Sequence, residues 1–131
     1  MGEKVFIKNT DELSNNINKV KLSDCDVYVS SITNLDSLKY FNSITRLSIG
    51  ALDSIELCED IIVDTTNLKY LTNLTDLFIE NDDHIEALNL YNLNKLKNLF
   101  ISSCHLLRNI NGFENLKNIK TLVVYDVPNL R

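Results

Sequence analysis

LKNLFISSCHLL, residues 96–107, carries apolar side chains at Leu96, Leu99, Ile101, Cys104 and Leu107. The steps between them are three, two, three and three. An α-helix repeats its faces every ~3.6 residues and a strand every ~2, so neither element alone accounts for the series. Phe100 stands between Leu99 and Ile101 and belongs to no step of it. A chain that makes a short strand and then a tighter turning path would place the five apolar residues on one wall. Phe100 would then face the other way.

The same nine-residue signature recurs along the chain. LFISSCHLL (99–107) aligns with LVVYDVPNL (122–130), LFIENDDHI (77–85), LSIGALDSI (47–55), VYVSSITNL (27–35) and, more weakly, VFIKNTDEL (5–13). Positions one, three and nine are apolar in all six. Position six is Thr10, Ile32, Leu52, Asp82, Cys104 or Val127. Successive units start 22, 20, 30, 22 and 23 residues apart. Between units the apolar residues mostly fall every third place, as in Leu68, Leu71, Leu74, Leu77 and in Ile110, Phe113, Leu116, Ile119, Leu122. A tight 3-10-like or extended path keeps every third side chain inward, which an α-helix does not. The long third interval comes from CEDIIVDTTN (58–67), read as a bulged loop or short helix inserted at the surface.

These units resemble the leucine-rich repeat family, whose pattern is L-x-x-L-x-L-x-x-N/C-x-L. LKNLFISSCHL (96–106) meets that pattern at every fixed position, and INGFENLKNIKTL (110–122) is similar to the short bacterial-type repeat. The N/C position is Asn in no unit and Cys in one, so the asparagine ladder of many family members is not expected. The resemblance implies one α/β domain over residues 1–131: a right-handed leucine-rich repeat solenoid. Its six parallel strands, near 5–7, 27–29, 47–49, 77–79, 99–101 and 122–124, would line the concave face. Convex segments would be 3-10, irregular or short helical. Gly112 is expected at a turn of positive φ.

Composition narrows the function classes. The chain has 131 residues, 44% of them apolar, which suits a globular core. No apolar run reaches the ~20 residues of a membrane helix. MGEKVFIKNT carries no apolar signal region, so a cytoplasmic protein is expected. Cys25, Cys58 and Cys104 are widely spaced, odd in number and read as buried, reduced thiols. Net charge is −5. Residues 53–86 hold ten acids and one base (net −9), and the remainder eight acids and twelve bases (net +4). That sign argues against nucleic acid as a partner.

Chemistry-bearing motifs are sparse. There is no phosphate-binding glycine loop, no GxSxG and no zinc-type cysteine set, and the chain has three glycines in all. NDDH (81–84) holds metal-capable side chains without a ligand spacing of known type. Cys104 beside His105 lies at a core position of the repeat, a wall residue and not a nucleophile. The expectation is a protein that is not an enzyme, with no cofactor and no metal.

Candidate binding residues follow from strand alternation. The residue between the two core positions of each strand faces outward: Phe6, Tyr28, Ser48, Phe78, Phe100 and Val123. Tyr125 lies in the next column. Aromatics are preferred anchors of protein interfaces. Asp26, Asp76 and Glu80 sit beside that column, and Asp82 and Asp83 follow the fourth strand. The expected partner is a protein with a basic surface, steered by charge and held by aromatics, as for an immunity-type inhibitor that masks a toxin or nuclease. The alternative is a piece of a larger receptor, adhesin or scaffold. Only Val127-Pro128-Asn129-Leu130-Arg131 follows the last strand. Its apolar end calls for cover, from further repeats or from a second copy in a homodimer.

Overall fold

The structure, a computed structural model, describes residues 4–7, 26–30, 43–50, 65–82 and 85–130. Strands β1 (Lys4–Ile7), β2 (Asp26–Ser30), β3 (Arg46–Gly50), β4 (Asp76–Glu80), β6 (Asn98–Ser102) and β8 (Thr121–Tyr125) span the six apolar-x-apolar stretches. They form one six-stranded sheet in the order β1-β2-β3-β4-β6-β8, and every pair in it is parallel. Two further strands, β5 (Ala87–Asn89) and β7 (Asn109–Asn111), pair in parallel as a separate sheet. Parallel neighbours need a crossover of about a dozen residues or more, and the 20-to-30-residue intervals supply it. The helical content among the described residues is two 3-10 turns, Thr66–Tyr70 and Phe113–Asn115. This is a small α/β-type arrangement, mostly parallel strands with few helical turns.

The register shows why the apolar spacing is mixed. Leu47, Leu77 and Leu99 are aligned across β3, β4 and β6, as are Ile49, Ile79 and Ile101, and all six are buried. These are the two-residue steps. The three-residue steps are turns closed by i-to-i+3 bonds. Leu71 N–H donates to the Leu68 carbonyl, Leu74 to Leu71, Leu93 to Leu90, Leu96 to Leu93 and Leu116 to Phe113. Such bonds advance the chain about three residues per turn, so Leu68, Leu71 and Leu74, and again Leu90, Leu93 and Leu96, return to the same buried side. Each leucine or isoleucine sealed there contributes ~1.5–3 kcal/mol of burial. Cys104 is buried with them, its thiol donating to the Ser102 carbonyl at 3.3 Å.

Strands β4, β6 and β8 end the same way. Asn81, Ser103 and Asp126, the residues directly after β4, β6 and β8, adopt φ of 54°, 54° and 56°. Small polar residues tolerate this left-handed conformation better than most. It aims the Asn81 N–H at the Ser102 carbonyl and the Ser103 N–H at the Tyr125 carbonyl. Gly112 has the expected positive φ, 86°, and a Cβ there would lie 3.0 Å from the Tyr91 backbone nitrogen.

Two features depart from the sequence reading. The β5–β7 sheet lies where irregular or helical return segments were expected. A short polar ladder runs beside it. The Thr65 hydroxyl donates to the Ala87 carbonyl and accepts from both the backbone N–H and the Nδ2 of Asn89. The Asn89 Oδ1 accepts from Asn111 Nδ2 at 2.9 Å. One asparagine pair, Asn89 with Asn111, thus links β5 to β7 through its side chains. Residues 58–64 of the expected insertion, and Cys25 and Cys58, lie outside the described residues; Thr65 and the 3-10 turn follow.

Candidate functional site

The six-stranded sheet has one face turned inward and one outward. On the outward face the register aligns Phe6, Tyr28, Ser48, Phe78, Phe100 and Val123 as a single row crossing all six strands. Phe6 and Tyr28 are placed by register alone. Phe78 and Phe100 stack with ring centroids 4.9 Å apart and planes within 5°. Both are half-buried, so the stack leaves its upper edges open. Val123 continues the row beyond Phe100 and is exposed. Tyr125, in the neighbouring row beside Ser102, is 70% exposed. Ser48 divides the aromatics into two pairs. The patch that the structure brings together is therefore Phe78, Phe100, Val123 and Tyr125. Val123 was absent from the expected site. Its signal was its place in the outward row, which an aromatic-only search passes over.

The carboxylates divide. Asp82 is 0% exposed and stands one residue past the left-handed turn at Asn81, where Cys104 stands past Ser103. A side chain sealed in that position is not on the binding surface, which corrects the expectation for Asp82. Asp76 is half-buried and already engaged: its carboxylate accepts from the Thr75 hydroxyl and from Asn98 Nδ2. Its row reads Lys4, Asp26, Arg46, Asp76, Asn98, Thr121 across the sheet. Acids and bases alternate in register along its first four positions, and Asp76 is aligned with Arg46 on β3. Glu80, at the end of β4, is exposed. Asp83 and His84 lie outside the described residues. The face is thus aromatic first and only weakly acidic where it is described.

Other polar groups have structural partners. His105 Nε2 and Asp126 Oδ2 lie 3.4 Å apart with both side chains about half-exposed. Asp126 also accepts from the Ser103 hydroxyl. Among the described residues no three His, Cys, Asp or Glu side chains are grouped to hold a metal ion, and no helix is long and apolar enough to cross a membrane. Tyr70, Tyr91 and Phe113 are exposed aromatics outside the six-stranded sheet, which the sequence reading did not single out. No protein-family model, curated protein or solved structure matches the chain.

Proposed function

We propose that the chain is a leucine-rich-repeat solenoid whose role is to bind another protein, without catalysis, on the concave face of its six-stranded sheet. The observation that carries this reading is the Phe78–Phe100 stack: two aromatic rings held parallel and half-open on adjoining strands. With Val123 and Tyr125 beside them they form an apolar patch on rigid elements. Large side chains fixed before binding lose little freedom on contact, which is what makes aromatics effective anchors. Net charge of −5, and the excess of acids between residues 53 and 86, favour a basic partner. With Asp82 buried and Asp76 engaged, that preference comes from the field of the whole chain and from Glu80 more than from a row of free carboxylates. A small acidic binding module of this kind suits an inhibitor that masks a basic toxin or nuclease in the cytoplasm.

Co-purification with a basic protein encoded beside this chain tests the reading. Wild type should capture that protein and the Phe78→Ala, Phe100→Ala double variant should not, with both chains folded. Equal capture by the two would remove the concave face from the account.

A further inference from the structure

The outward row of the sheet has a gap at β3. Phe78 and Phe100 stack with centroids 4.9 Å apart. That is the spacing of adjoining strands, so each ring stands over its own strand with its faces turned along the row. One face of Phe78 is covered by Phe100. The other is turned to β3, where its partner in register is Ser48. A serine side chain is too short to reach the height of a ring above the sheet. Among the described residues Phe78 has no second ring and no cation against it. The next large residue in the row is Tyr28, placed by register one strand beyond Ser48. The row positions on β2 and β4 are two strand spacings apart, ~9–10 Å, with Ser48 as the floor between them. That width takes one flat group, stacked on Phe78 at the spacing that Phe100 already keeps.

The charges around the gap select among flat groups. Asp76, Phe78 and Glu80 alternate with the buried Leu77 and Ile79 along β4, so the ring has a carboxylate on each side, ~6.6 Å away along the strand. Asp76 already accepts from Thr75 and from Asn98. Glu80 is exposed, and Gly50, its partner in register, has no side chain to stand between it and the gap. Arg46 lies at the other end of β3, in register with Asp76, so the Glu80 end is the one that suits a further cation. An aromatic ring would fill the gap and leave Glu80 unanswered. An ammonium would answer Glu80 but has no flat face to lay on Phe78. A guanidinium does both, because it is planar, stacks on aromatic faces and presents a fork of N–H donors to a carboxylate. We propose that the gap over Ser48 receives one arginine of the basic partner. Its guanidinium lies on the open face of Phe78 and donates to the Ser48 hydroxyl oxygen and to the Glu80 carboxylate. This rests on the partner-binding reading of the concave face and names the side chain that the face takes.

Titration of the full chain with N-acetyl-arginine amide, followed by NMR, tests this without any partner protein. The Phe78 ring protons and the Glu80 backbone amide should shift together and saturate. N-acetyl-lysine amide should bind about fivefold more weakly, since it lacks the planar fork. N-acetyl-tyrosine amide, which is flat but uncharged, should give no saturable shift at the same concentrations. Ser48→Phe sets a ring in the gap at the spacing of Phe78 and Phe100. It should keep the circular-dichroism spectrum and weaken arginine binding by at least about tenfold, because the site is already filled. Glu80→Gln should weaken it about threefold, through loss of the charged acceptor. Phe113→Ala, away from the sheet, should match wild type. The proposal is overturned by a wild type whose Phe78 signals do not saturate, by lysine or tyrosine amide binding as tightly as arginine amide, or by Ser48→Phe binding as wild type does. The same variant separates this proposal from the reading beneath it. Capture of a basic protein that survives Ser48→Phe but is lost in Phe78→Ala, Phe100→Ala would keep the concave face and remove the arginine site.

Discussion

Phe100 and Asp82 show how position in the repeat outranks residue type. Phe100 reads as one more apolar residue, yet its place between two core positions turns it out to stack on Phe78. Asp82 reads as a surface acid, yet it shares position six with Cys104 and is buried as Cys104 is. The alignment of repeats contained both outcomes; composition contained neither. Gly112 was legible for the same reason, because Ile-x-Gly before a three-spaced run marks a turn, and its φ is 86°. Gly112→Ala should lower unfolding free energy by about 1–2 kcal/mol in chemical denaturation, the cost of a side chain in left-handed backbone. Gly50 was not legible. A Cβ there would meet the Glu80 carbonyl oxygen at 2.1 Å, a close approach between adjoining strands that no spacing rule reveals. The Phe78–Phe100 stack, being half-exposed, should contribute modestly to stability. A double-mutant cycle of the two alanine substitutions should give a coupling of about 0.5–1.5 kcal/mol.

Elements divide by how repetitive their rule is. The six strands of the main sheet were readable because the same apolar-x-apolar pattern recurs at each, and the turns because i-to-i+3 bonding imposes a step of three. Leu99, sealed between Leu77 and Leu122 in this register, should cost about 2–5 kcal/mol on replacement by alanine. Strands β5 and β7 escaped notice because each is three residues long. Alternation over so short a span cannot be told from a three-spaced run. Their pairing depends on neighbours 22 residues away, through Thr65, Asn89 and Asn111. Thr65→Val should destabilise by about 1–3 kcal/mol, since it removes the acceptor of two Asn89 donors at a buried site. Thermal denaturation of Thr65→Ser, which keeps the hydroxyl, should show most of that loss recovered.

At the scale of the whole molecule, one six-stranded parallel sheet makes a platform whose rows are set by register. That platform was legible; the chemistry of its rows was only partly so. Charges counted along the chain suggest an acidic face, whereas across the sheet Lys4, Asp26, Arg46 and Asp76 alternate in sign. Neighbours in space come from different repeats, and a linear count mixes them with acids that lie elsewhere. What remains on the face is the aromatic patch, and the central claim is that this patch anchors a protein. Calorimetric titration of the basic partner against three chains measures it: wild type, Phe78→Ala with Phe100→Ala, and Phe113→Ala as an exposed aromatic away from the sheet. The first pair should differ in dissociation constant by at least about a hundredfold, as expected for two anchoring aromatics, and Phe113→Ala should match wild type. Indistinguishable affinities for wild type and the double variant would contradict the account.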